Sequence, residues 1–208
     1  MDLNLLTSIE DKMRLLNAKH KAVIFVVTGP NGAGKTAITK QLLTALPFHQ
    51  TFNLGAVAKT IRYIYQDEGT TRLENFTNKK ITNLFTPIVQ FACREYQKNG
   101  VNVIIDGVQI DTLSPEWSGL IAGGIILDVD KDTRINRNHF PDTHFNRKLE
   151  ISLSDHCEYV DSELFVTINN SGALSETFNA ILRLLDNALD KEFVKANADI
   201  TEILEAQR

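Results

Sequence analysis

Residues 29–36 read Gly-Pro-Asn-Gly-Ala-Gly-Lys-Thr, directly after the apolar run Ala22-Val23-Ile24-Phe25-Val26-Val27. A chain with this segment must supply a buried strand, a glycine-rich turn and a helix start in immediate succession. The pattern is G-x-x-x-x-G-K-[ST], the phosphate-binding loop. A triphosphate is a dense anion, and successive backbone N–H groups can hold it where the chain curls around the β-phosphate. Gly29, Gly32 and Gly34 permit positive φ and close backbone approach. The helix predicted over roughly Lys35–Leu46 adds unpaired N–H donors and the positive end of its dipole. Gly29, Asn31, Gly32, Ala33, Gly34, Lys35, Thr36 and Ala37 are therefore the candidate nucleotide-binding residues. Lys35 is expected to reach the β- and γ-phosphates, and Thr36 to offer its hydroxyl to Mg²⁺. ATP and Mg²⁺ are the expected cofactors.

The rest of the chain supports a frame for that loop. Leu5, Leu6, Ile9, Met13 and Leu16 recur at helical spacing and predict an amphipathic leading helix over 3–19. Short strands are predicted at about 22–28, 51–54, 101–105, 124–129 and 164–168. Helices are predicted from Gly55 to about Gln66, over 77–98 and over about 174–189, with a peripheral helix or frayed tail from 190 to 208. Asn99-Gly100 closes the second of these with a C-cap signature. Apolar strands alternating with helices give an α/β class, a parallel sheet covered on both faces. The length of 208 residues fits one domain with a small lid. Ligands of such sheets sit beyond the C-terminal strand ends. The loop, Asn53-Leu54-Gly55, Asp106-Gly107 and Asp128-Val129-Asp130 all fall on that rim.

Three further groups carry chemistry. Val103-Ile104-Ile105-Asp106 is an apolar strand ending in a carboxylate, placed to hold Mg²⁺ beside Thr36 or to orient and deprotonate an acceptor hydroxyl. An Asp-Gly turn cap is the structural alternative. Gln109, two residues after Gly107, is placed either to bond the acceptor or to sit in an exposed loop. Arg134 and Arg137 lie three apart in a polar stretch, and a helix would show both on one face. Guanidinium groups stabilise the charge that phosphoryl transfer spreads over equatorial oxygens, so 131–148 is read as a lid bearing catalytic arginines. Arg147 and Lys148 belong to the same stretch. Lys59 and Arg62 are again three apart and read either as surface charge or as contacts for an anionic acceptor. His139 and His144 are five apart, not the four of a helical metal pair.

Composition limits the partners. Net charge is −4, so no global basic field draws the chain to nucleic acid, which is not favoured as a partner. Cys93 and Cys157 form no C-x-x-C pair and suit a reducing cytoplasm. The N-terminus shows neither the basic flank nor the apolar region of a secretion signal. No apolar run approaches the ~20 residues of a membrane helix. A cytoplasmic monomer or homodimer is expected.

In this order the segments resemble the P-loop kinases of the nucleoside-monophosphate-kinase group, most closely the 2-phosphoglycerate-kinase-type branch. The resemblance spans most of 22–190 and rests on Gly29–Thr36, Val103–Gln109, the Arg134/Arg137 stretch and Phe165-Val166-Thr167-Ile168-Asn169-Asn170. It implies sheet order 2-3-1-4-5, a mobile lid and transfer of the γ-phosphoryl group from ATP. Asp106 takes the Walker B place, where that branch tends to carry Glu. After the second strand the branch tends to carry Thr-Asp, whereas this chain has Asn53-Leu54-Gly55-Ala56. That stretch is nearer the Thr-Gly-Ala of cytidylate-type kinases, with Leu54 in place of Thr. The implied acceptor is a small phosphorylated or carboxylated metabolite. The alternatives are a nucleoside monophosphate, a polynucleotide end or modified DNA base, and a protein that binds nucleotide without turning it over. No Asn-Lys-x-Asp guanine-reading segment is present to support a GTPase.

Overall fold

Five segments pair as parallel strands: β1 (Ile24–Thr28), β2 (Gln50–Asn53), β3 (Val103–Asp106), β4 (Gly123–Asp128) and β5 (Phe165–Asn169). Their order is β2-β3-β1-β4-β5, as the resemblance to P-loop kinases implied. The computed structural model describes residues 2–30, 32–57, 60, 78–107, 117, 119–137 and 164–206. Five helices are described in full: α1 (Leu3–Ala18), α2 (Lys35–Ala45), α3 (Asn78–Lys98), α4 (Lys131–Arg137) and α5 (Leu174–Ala206).

Alternation along the strands divides the core between two layers. Phe25, Val27, Ile104, Ile125, Leu127 and Ile168 face a layer built from α1, α2 and α5. Ile24, Val26, Val103, Ile105, Ile126 and Phe165 face the other, with Val89, Cys93 and Trp117. β1, β3 and β4 are buried on both sides and so read as continuously apolar, whereas the edge strands β2 and β5 expose most of their residues.

The outer helices follow the same logic. Asp2 caps α1 by accepting from the Asn4 and Leu5 N–H groups at 3.1 and 3.2 Å. Ile9, Met13 and Leu16 then turn inward. α5 buries Phe178, Ile181, Leu182, Leu185 and Leu189 in the same core. Lys12 on α1 reaches Asp186 and Asp190 on α5 at 2.8 and 2.7 Å. The helix expected to end near 189 runs on through Ala206. No Gly or Pro interrupts that stretch, and Phe193 and Ala196 still pack on the core.

The strand starts shift by one or two residues from expectation. β3 begins at Val103 rather than Val101. Asn102 is spent as a corner: its Oδ1 accepts from Val23 N–H at 2.8 Å and its Nδ2 donates to the Pro47 carbonyl at 2.9 Å. The fully buried carboxamide thereby ties the starts of β1 and β3 to the end of α2.

Candidate functional site

Parallel register assembles the site. Val27 pairs with Asp106, and Asp106 pairs with Asn53 on its other side. The carboxylate therefore emerges between β2 and the strand that feeds the loop. The loop itself turns through glycines at φ 137° (Gly29), 82° (Gly32) and 90° (Gly34). Gly29 has a second requirement, since a Cβ there would stand 2.5 Å from the Leu127 carbonyl oxygen of β4. Gly34 is the N-cap of α2, so the helix opens at Lys35 directly out of the loop.

The ammonium of Lys35 folds back over the loop and donates to the Gly29 and Pro30 carbonyls at 3.0 and 2.9 Å. Burial pulls its pKa down to about 8, although the nearby Asp106 charge pulls the other way. Asp106 is 4% exposed. Burial raises its pKa, against the opposing effects of Lys35 and of the Thr36 hydroxyl. Thr36 Oγ1 donates to Asp106 Oδ2 at 3.5 Å, a long contact. These groups open on a cleft of about 400 Å³ lined by Gly32, Lys35, Thr36, Asn53, Asp106 and Arg137, among others.

The donors suit the groups the sequence implies. A hydroxyl and a carboxylate are hard oxygen ligands, the kind with which Mg²⁺ is held alongside substrate phosphates. A lysine ammonium anchored on loop carbonyls, beside a helix N-terminus and glycines at positive φ, suits a polyphosphate.

α4 starts where the Asp130 carboxylate accepts from Thr133 N–H at 2.8 Å. It presents its two arginines differently. Arg137 lines the cleft and donates through Nη2 to the Asn170 carbonyl at 2.6 Å. Arg134 is 5% exposed and does not line the cleft. The structure thus brings Gly29, Gly32, Ala33, Gly34, Lys35, Thr36, Ala37, Asp106 and Arg137 to one rim. Asn31, Lys59, Arg62, Gln109 and the 138–148 part of the expected lid lie outside the described residues. Asn53, which the sequence placed on the rim without a role of its own, lines the cleft. Its Oδ1 accepts from Ala56 N–H at 2.8 Å and so starts the next helical turn.

A solved gluconokinase from Sinorhizobium meliloti 1021 matches this structure with a TM-score of 0.58. The chain has a P-loop kinase fold. The match covers 83% of this chain and 97% of the gluconokinase, at 13% sequence identity. At that identity the likeness is one of fold, and it reaches P-loop kinases in general rather than the 2-phosphoglycerate-kinase-type branch. No protein-family model matches the chain, and comparison with curated proteins gives no match either. Among the described residues, no helix is long and apolar enough to cross a membrane.

Proposed function

We propose that this chain is an ATP-dependent phosphotransferase that, with Mg²⁺, moves the γ-phosphoryl group to a small acceptor carrying phosphate or carboxylate. The observation that carries this reading is the convergence of Lys35, Thr36 and Asp106, from two separate strand ends, on one cleft beside Arg137. A protein that merely holds nucleotide needs the loop. The carboxylate facing Thr36 and the guanidinium at the rim are what transfer chemistry adds.

Each residue then has a role. Backbone N–H groups of the loop and of the start of α2 hold the phosphates, and Lys35 exchanges its loop carbonyls for phosphate oxygens. Thr36 and Asp106 would hold Mg²⁺, which supplies charge neutralisation on the phosphate oxygens. Asp106 orients the acceptor hydroxyl and takes its proton as the new O–P bond forms and the bond to the β-phosphate oxygen breaks. Arg137 stabilises charge on the transferring group, and Arg134 supports it from within α4. Lys59, Arg62 and Gln109 are the acceptor contacts in this reading. Two cations fit the phosphorylated or carboxylated class implied by the 2-phosphoglycerate-kinase-type resemblance.

The test is ADP release across an acceptor panel of glycerate phosphates, nucleoside monophosphates, sugar nucleotides and DNA, with Lys35→Ala as control. Stimulation by a glycerate phosphate or similar small anion supports the reading. Stimulation only by a nucleoside monophosphate or DNA moves the acceptor class. No stimulation by any acceptor returns the chain to a nucleotide-binding role.

A further inference from the structure

The turn after β5 contains a side chain with no assigned role in the transfer. Asn170 is 2% exposed. Its Nδ2 donates to the Ala33 carbonyl at 2.8 Å, across 137 positions of sequence. Its backbone N–H donates to the Asp128 carbonyl at the end of β4 at 2.7 Å. Its own carbonyl accepts from Arg137 at 2.6 Å. A single residue thus touches the phosphate loop, the sheet and the cleft arginine.

We infer that Asn170 is a positioning residue for the nucleotide site: its carboxamide fixes the Ala33–Gly34 peptide, and its carbonyl seats Arg137 over the same loop. This rests on the functional reading above and extends it to a residue outside the loop motif.

Three observations support the assignment. The amide lies so close that a Cβ on Gly34 would stand 2.8 Å from Asn170 Nδ2, so Gly34 and Asn170 are fitted to each other. The same Cβ would be 4.0 Å from Arg137 Nη1, which brings the guanidinium to the same peptide. The Asn170 Oδ1 is buried with no hydrogen-bond partner among the described residues. The Ala33 carbonyl needs a donor there, since N–H groups of a phosphate-holding loop point to the ligand and its carbonyls point away. Asn supplies that donor. Asp at neutral pH would set a second oxygen against the carbonyl.

The experiment compares affinity for ADP by titration calorimetry in wild type, Asn170→Asp and Asn170→Ser, from pH 5 to 7.5, with thermal melting recorded alongside. At pH 7.5 the Asn170→Asp variant should bind about tenfold more weakly, the loss expected for one broken buried hydrogen bond. The ratio of its Kd to that of wild type should shrink towards one as pH falls, because the protonated carboxyl again offers a donor to Ala33. Asn170→Ser should lose a similar factor with no pH dependence, and carries the test if Asn170→Asp does not fold. In the unliganded protein both variants should speed hydrogen exchange of the 32–34 amides. Wild-type affinity at all pH values in a folded variant, with only the melting temperature lowered, would reduce Asn170 to a structural role. Failure of the wild type itself to bind ADP would instead overturn the nucleotide reading on which the inference stands.

Discussion

Thr36 and Asp106 are 70 positions apart in sequence, yet the threonine hydroxyl lies 3.5 Å from the aspartate carboxylate. Register brings them together: Asp106 pairs with Val27, two residues before the loop begins. Thr36 sits on the second residue of the helix that the loop opens. The contact is long for an O–H···O bond, whose usual separation is about 2.7–2.8 Å. Two oxygen donors at that spacing suit a shared cation better than they suit each other.

Asp106→Asn should therefore separate catalysis from folding. Turnover is expected to fall by about 10²-fold or more, the scale of a lost general base, while nucleotide affinity weakens much less. Stability has its own sign. The folded pKa of Asp106 lies above its ordinary value of 3.8, so the native state holds the proton to higher pH than the unfolded chain. Stability from this group is then greatest at low pH and declines as pH rises from about the ordinary value through the folded one. The amide variant removes that decline. Its melting temperature at pH 7 should equal or exceed that of wild type. Equal loss of turnover and affinity would give Asp106 a structural role only.

Lys35 predicts a pH dependence in binding. Its pKa in the free protein is about 8, and phosphate favours the charged form. Nucleotide affinity should fall as pH rises past about 8, with net proton uptake on binding in that range. Calorimetry in buffers of different ionisation enthalpy measures the uptake. Lys35→Ala should abolish it and weaken binding by about 10- to 100-fold, as expected for one charge-assisted bond.

The loop glycines predict stability. Gly29→Ala combines φ of 137° with a Cβ 2.5 Å from the Leu127 carbonyl. Backbone strain and overpacking together should cost about 3 kcal/mol, or roughly 6–12 °C in melting temperature for a domain of this size. Gly119→Ala is the control. Gly119 has φ of 70° and, among the described residues, nothing within 4 Å of the added Cβ, so strain should cost about 1 kcal/mol.

The long α5 carries a prediction about the core. Leu185 is fully buried among Ile181, Leu182 and Leu189, and Leu185→Ala should cost about 2–5 kcal/mol in denaturant unfolding. Val194 is 69% exposed on the same helix, and Val194→Ala should change stability by less than about 0.5 kcal/mol.

The frame was legible because a doubly covered parallel sheet leaves local signals. Ile24–Val27, Val103–Ile105 and Ile125–Leu127 are apolar on both faces, and the Gly29–Thr36 loop fixes which strand comes first in the site. Asp106 could be read because it ends such a run. Asn170 and Asn102 could not. Each bonds a partner far away in sequence, and local sequence carries no record of a buried carboxamide's distant partner. Arg134 and Arg137 share a spacing that suggests one face. Their surroundings differ: Arg134 is 5% exposed, whereas Arg137 lines the cleft and bonds the Asn170 carbonyl. Residues 190–208 read as a peripheral helix or a tail; the helix is continuous with α5, and Phe193 and Ala196 hold that turn on the core.

The central claim is tested most directly by following a radiolabelled γ-phosphoryl group from ATP. With Mg²⁺ and a phosphorylated or carboxylated acceptor, wild-type protein should pass the label to the acceptor well above the rate to water, and Lys35→Ala should not. Wild-type protein that binds ATP but leaves the label on nucleotide or releases it only to water, with every acceptor class supplied, would contradict the account.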